Sequence, residues 1–390
     1  MSVLTIVFKE LPLHDTCWSL ITGVDGNIYI GICGEMTGGL SGYIASYNPK
    51  TEETEYLLEV AKALGVPSNN GQASHAKIHY SLVTDKEGIL YAATHCTGAP
   101  AGDFIWRPWN CWTHPIKNFS GSGLVVYDPR KKETLFTDFL LPNEGTRCMT
   151  LACKRKKLYG ISYPRDHFFT YDLRRRKLRD LGRIGSINPQ AIFLDPEENG
   201  YTTDDYGNII KYDAGKEQLQ DIDVQIPHAS FRNGFHNVPY DVTPSLDGES
   251  VYGVTWAFGE RLFRYEFKKK KIYDFGKACG EESEEWSHII KSHTGGLVFG
   301  DDGNLYFVSN LVLRGKSSPH LIRFNPETLK REIVEEITCQ GKPADHISRA
   351  TFDSFGNLYF AEVGNKPTKI FKFEGAKTAD TTKRVFRHWG

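Results

Sequence analysis

Three histidines, His75, His79 and His95, fall inside one stretch, SHAKIHYSLVTDKEGILYAATH (74–95), that otherwise reads as two β-strands joined by a turn. Strand interiors seldom need imidazoles, which titrate near neutrality and serve as proton carriers or metal ligands. Tyr163 closes the run LYGISY, and Arg183 lies in LGRIG. A guanidinium offers a fixed fork of donors to a carboxylate, and a phenol or imidazole moves protons. Together these residue types suit binding an anion and transferring a proton beside it. Similar side chains recur further on: Arg232, His236, Asn237 and Tyr240 in HASFRNGFHNVPYDV (228–242), Lys291 and His293 in IIKSHTGG, and His346 and Arg349 in DHISRATF. Whether they converge depends on the elements that carry them.

Those elements repeat. A strand ends in an acidic turn, DGNxY follows, then an aromatic-rich strand ending in YDP or its equivalent, then a charged hairpin into a fourth strand. Seven copies can be traced, beginning with LITGVDGNIYIGICG and ending with ATFDSFGNLYFAEVG and KIFKFEG. Aromatics at 13% and 37 glycines fit short strands and tight turns. Four short strands per copy, arranged radially, make an all-β, seven-bladed β-propeller spanning 1–390 as a single domain. Either LTIVFKEL near the start or RVFRHW at the end supplies the outer strand of the closing blade. Residues 96–123 form an inserted loop in blade two, carrying Trp106, Trp109 and Trp112, which either stack on sugar rings or pin the loop to the propeller.

In a propeller, the approach to each inner strand and the exit from each second strand open on one face. His95 ends the second strand of blade two, and Tyr163 holds the same position in blade three. His75 precedes the inner strand of blade two, with His79 competing for its role. Arg183 takes the comparable approach to blade four, with Arg165 and Arg179 as competitors, Arg179 belonging on an outer strand. Basic residues at most inner-strand approaches describe a mouth that attracts an anion. A uronic acid is such an anion: its C5 proton lies next to a carboxylate, with a leaving group at O4. Cleavage by β-elimination requires the carboxylate to be neutralised, the C5 proton removed and the departing oxygen protonated.

The repeat together with SHAKIH, the His95 strand end, LYGISYPRDHFFTYDL and LGRIG resembles the propeller-type polysaccharide lyases, which include ulvan lyases and rhamnosyl-glucuronate lyases. The resemblance implies a carbon–oxygen lyase acting on polysaccharides, with a uronate-containing glycan as its partner. It implies His75, His95, Tyr163 and Arg183 as catalytic residues, Tyr163 being both base and acid. His79, Arg232, His236, Tyr240, His293, Arg349 and Trp109 are then expected to contact substrate. The alternative is a non-catalytic propeller, a carbohydrate-binding or protein-interaction platform in which the same residues hold an anion. A hydrolase with paired carboxylates is disfavoured, because the mouth positions are poor in acids.

No cofactor is required by this chemistry. A structural metal ion, zinc or calcium, has only Cys279, His288, His293 and His346 as candidate ligands, at unconvincing spacing. The eight cysteines show no CxxC pair and read as buried thiols. A net charge of −1 supplies no global field for nucleic acid or anionic lipid, and DLRRRKLRDLGR and KKKK read as solvated hairpins. No apolar run approaches the roughly 20 residues that span a bilayer. The start, MSVLTIVFKELPLHD, does not read as a signal peptide, so the expected location is cytoplasmic, or secreted or periplasmic if a leader was trimmed. A monomer is expected.

Overall fold

The acidic turn of the repeat is a clamp that one aspartate closes on its own hairpin. Asp353 Oδ1 accepts the backbone N–H groups of Phe355 and Asn357, each at 2.8 Å. Its Oδ2 accepts the Asn357 amide at 2.8 Å and the Tyr359 phenol at 2.9 Å. Gly356 makes the turn feasible with φ at 88°, a conformation costly for any residue with a Cβ. The same clamp recurs at Asp25 with Tyr29, Asp85 with Tyr91, Asp195 with Tyr201 and Asp302 with Tyr306. Burial first, then the aspartate charge and hydrogen bond, raises the phenol pKa of Tyr29, Tyr91, Tyr201 and Tyr359, so each stays a donor.

The computed structural model describes residues 3–9, 11, 13–35, 39–66, 71–96, 108–186, 189–227, 237–256, 260–281, 283 and 294–374. The chain is an all-β ring of seven four-stranded antiparallel sheets, a seven-bladed β-propeller. Blades 1 to 6 cover 16–59, 82–142, 145–183, 193–225, 239–277 and 294–336, each running from inner to outer strand in chain order. Blade 7 comprises 346–373 with Val3–Val7 as its outer strand, paired antiparallel to Lys369–Phe373. The N-terminal candidate therefore closes the ring, and RVFRHW lies outside the described residues. Closure leaves no blade edge waiting for its fourth strand. A short hairpin, Thr338–Cys339 with Lys342–Pro343, is an addition the repeat did not announce.

Blades pack face to face through aromatic and aliphatic side chains. Tyr159 and Phe168 of blade 3 meet Tyr212 of blade 4, with ring centroids at 5.0 and 5.6 Å. In the blade 2 insertion the second strand ends at Ala93 and the third begins at Gly121. A short helix, Pro108–Thr113, lies between them where a loop was expected.

Tyr359→Phe removes one donor to a buried carboxylate and leaves the other three, so it should destabilise the protein by about 1.5–3 kcal/mol in urea unfolding. No shift in the transition midpoint would show that the clamp contributes nothing.

Candidate active site at the channel mouth

Inner strands begin at the mouth face and end at the opposite one, so the first residues of each set the chemistry of the mouth. Segment 74–80 extends the inner edge of blade 2. Lys77 pairs with His95 through reciprocal backbone hydrogen bonds of 3.1 and 2.7 Å, and Tyr80 bridges to Cys148 of blade 3. These pairings bring a row of rings together. Trp18 of blade 1 lies 4.3 Å from His79, His79 lies 5.9 Å from His95, and His95 stacks on Tyr163 at 5.1 Å with a 30° tilt. Trp112, from the inserted helix, packs edge-on against both His95 and Tyr163 at 5.4 and 5.3 Å. The Arg147 guanidinium lies 5.5 Å from the centre of the Tyr163 ring.

The stack depends on a glycine. Gly145 faces Tyr163 across the blade 3 ladder, and a Cβ there would lie 3.0 Å from His95 Cα and from Cγ. A side chain at 145 would push His95 back by a few tenths of an ångström.

The hydrogen bonds of His79 and His95 fix their tautomers. His79 Nδ1 lies 2.8 Å from the Arg147 carbonyl and His95 Nδ1 lies 2.5 Å from the Cys96 carbonyl. A carbonyl can only accept, so each Nδ1 carries the proton and each Nε2 presents a lone pair. Both Nε2 atoms are buried and have no hydrogen-bond partner among the described residues. Burial, then the charges of Arg147 and Lys77, hold the pKa of His79 well below the ordinary value; for His95 the causes are burial, then Lys77, then Arg147. The site thus offers two neutral acceptors between two cations.

Lys77 itself is buried, with its ammonium 2.6 Å from Glu35 Oε2 and 4.4 Å from the Trp18 ring centre. Trp18 Nε1 donates to the same Glu35 oxygen at 2.8 Å. Burial opposes ionisation of Glu35, but the Lys77 charge and the Lys77 and Trp18 hydrogen bonds outweigh it and lower its pKa. Burial lowers the pKa of Lys77, with Glu35 opposing the shift. The floor of the mouth is a phenol bridge: Tyr80 donates to Tyr240 across the channel at 2.9 Å, and the Tyr240 hydroxyl lies 2.7 Å from His346 Nε2.

Of the residues expected at the mouth, His95, Tyr163 and His79 meet in this row, and Tyr240 is 2% exposed in the floor. His75 does not join them. It is buried against Phe119 and Phe139, with Nδ1 2.8 Å from Thr94 Oγ1 and a pKa pushed down by burial to about 4. Arg183 is a correction: it ends the outer strand Lys177–Arg183 of blade 3, is exposed, and donates from Nε to Gly185 O at 2.6 Å. The GRIG segment leaves blade 3 at its rim, before the chain has travelled inward. Arg165 pairs with Glu144 at 2.6 Å, and Arg179 pairs with Glu217 at 2.8 Å. Arg349 is also displaced from its expected place: it lies beneath Tyr80, 3.8 Å from the ring centre, paired to Asp241.

Arg232, His236 and His293 lie outside the described residues, as do Trp106, Lys291 and His288. Trp109 falls on the inserted helix, and its side chain lies outside the described set. Sequence reasoning missed Arg147, Lys77 and Glu35. The signal for Lys77 was present in SHAKIH, where it alternates with the histidines. Arg147 could have been found as the first charged residue of an inner strand. Among the described residues no group of three or more His, Cys, Asp or Glu side chains could hold a metal ion. No helix there is long and apolar enough to cross a membrane.

Because the three buried imidazoles are kept neutral in the fold, the unfolded chain binds more protons once pH falls below about 6.5, and stability must decline from there downward. Each contributes a slope of up to about 1.4 kcal/mol per pH unit until its folded pKa is reached, about 4 for His75 and well below 6.5 for the others. Unfolding by urea between pH 7 and 5 should show this loss, with a shallower slope in His75→Gln; a flat profile would contradict the assignment. Gly145→Ala should displace His95 from Tyr163, seen as a changed ring-current shift for the His95 protons in NMR, at a stability cost of about 1–3 kcal/mol.

No family profile matches the chain, and no curated protein sequence matches it significantly. Its fold is shared with solved structures. The chain is similar to virginiamycin B lyase from Staphylococcus aureus at 13% identity and a TM-score of 0.62, covering 95% of this chain and 98% of that one. It is similar to the extracellular domain of the one-component system BT4673 from B. thetaiotaomicron at 15% identity and a TM-score of 0.58, covering 97% of this chain but only 40% of that one. The WD40 repeats of RRP9 align over 95% of this chain at 10% identity, with a TM-score of 0.58. At such identities the likeness shows the propeller and says nothing of chemistry.

Proposed function

We propose that the protein is a lyase that cleaves a glycosidic bond at a uronic acid of glucuronate type by β-elimination at the channel mouth. The observation that carries this reading is the stack of His95 on Tyr163 with the Arg147 guanidinium over the same phenol ring. Arg147 takes the part first expected of Arg183 and binds the uronate carboxylate, its planar fork matching two oxygens. Neutralising that carboxylate stabilises the negative charge that develops when C5 loses its proton. Tyr163, entering the step as its phenolate, takes the C5 proton to become the phenol and passes that proton to O4; the C5–H electron pair becomes the C4–C5 double bond as the C4–O4 bond breaks. Lys77, paired with Glu35, lies next to His79 and His95 as part of the support behind the Tyr163 ring. The buried imidazoles of His79 and His95 back the Tyr163 ring and hold its position rather than touching the sugar. Trp112 covers the stack and offers an apolar face to a sugar ring.

Glu35 is committed to Lys77 and Trp18, so it is not free to serve as one of the paired carboxylates of a glycoside hydrolase. The neighbours' names span an antibiotic lyase, a sensor domain and WD40 repeats, so the fold serves enzymes and non-enzymes alike. A carbohydrate-binding or interaction platform is the competing reading.

Incubation with ulvan or rhamnose-capped glucuronate chains should raise ultraviolet absorbance as the C4–C5 double bond forms. Tyr163→Phe should lower that rate at least 1000-fold with binding retained, and Arg147→Gln should raise KM and lower kcat. Arg183→Gln should keep the rate within a few-fold. Binding without any absorbance change across uronate polymers would favour the platform, and an active Tyr163→Phe variant would sink the mechanism.

A further inference from the structure

The phenol bridge from Tyr80 to Tyr240 divides the central channel, and the half that opens on the face opposite the mouth is a separate cavity of about 230 Å³. That is room for about seven waters at roughly 30 Å³ each, or for one small ligand. Arg349 caps its inner end, and the later residues of the inner strands line its wall, including Thr22, Thr150, Thr243 and Thr351. Thr22 and Thr351 hydrogen bond to each other at 2.7 Å, whereas the hydroxyls of Thr150 and Thr243 have no hydrogen-bond partner among the described residues.

The charges in this cavity are unevenly committed. Asp241, the acid in its wall, is saturated: Oδ2 accepts Gly296 N–H at 2.7 Å and Leu297 N–H at 2.9 Å, while Oδ1 accepts Val242 N–H at 2.9 Å and pairs with Arg349. Arg349 reaches Asp241 through Nη1, which leaves most of its five donors uncommitted among the described residues. A guanidinium with spare donors, 21% exposed at the inner end of a cavity whose wall alternates threonine hydroxyls with apolar residues such as Leu20, Val83 and Leu297, is matched by an oxyanion. We infer that the far half of the channel is a second binding site, for a small oxyanion such as a carboxylate or phosphate, held by Arg349 and by the hydroxyls of Thr150 and Thr243. This site is separate from the mouth and independent of the lyase reading.

Calorimetric titration of the full chain with inorganic phosphate, and separately with acetate, tests it and tells the two sources apart. The expected result is one anion bound per chain by at least one of the two probes. That binding should persist in Arg147→Gln, which disables the mouth, and weaken at least tenfold in Arg349→Gln. Because Arg349→Gln leaves Asp241 short of a partner and could unfold the ring, Thr243→Val provides the second reading, with binding expected to weaken about three- to tenfold. Absence of binding by both anions would overturn the inference. So would binding that disappears in Arg147→Gln and is unchanged in Thr243→Val.

Discussion

The aspartate clamp at the inner hairpin fixes the register on which the mouth depends. A strand that slips by one residue turns every side chain to its other face. In blade 2 the clamp joins Asp85 to Ile89 N–H at 3.0 Å and to the Tyr91 phenol at 2.9 Å, pinning Leu82–Thr84 against Leu90–Ala93. The free ends of those two strands, on the opposite face, are where Tyr80 and His95 emerge. A turn clamped by a buried aspartate on one face thus decides which side chains meet on the other. Ring closure by Val3–Val7 extends the constraint around the circle, so that blade 7 can deliver His346 to the phenol of Tyr240 in blade 5.

Within that frame the mouth is arranged around charge rather than around acids. Arg147 and Lys77 flank two imidazoles that burial keeps neutral and that backbone carbonyls hold in one tautomer. Neutral imidazoles can lie beside two cations without repulsion. The Tyr80–Tyr240 hydrogen bond ties blades 2 and 5 together beneath these groups.

Much of the fold was legible because the repeat writes its own punctuation: DGNxY marks the turn and the clamping tyrosine together. The blade-by-blade comparison placed His95 and Tyr163 correctly as neighbours, since both end second strands. It failed for Arg183 because sequence distance along a connector does not measure radial depth; GRIG is still at the rim. It ranked His75 above His79 because the approach segment was read as a loop. In the structure that segment is paired to His95, so the residues nearer the strand face the mouth. Arg349 lies one step too deep along its strand, beneath Tyr80 and lining the other half of the channel. Arg147 and Gly145 escaped notice because nothing in EGTRCMT marks chemistry until its partner across the ladder is known.

The central claim is that a uronate carboxylate sits on Arg147 with its C5 facing Tyr163. A crystal structure of the Tyr163→Phe variant with a bound uronate oligosaccharide tests it most directly. The account predicts the carboxylate within hydrogen-bond distance of the Arg147 guanidinium, with C5 over residue 163. A carboxylate bound at the rim by Arg183, or an oligosaccharide lying outside the mouth, would contradict it.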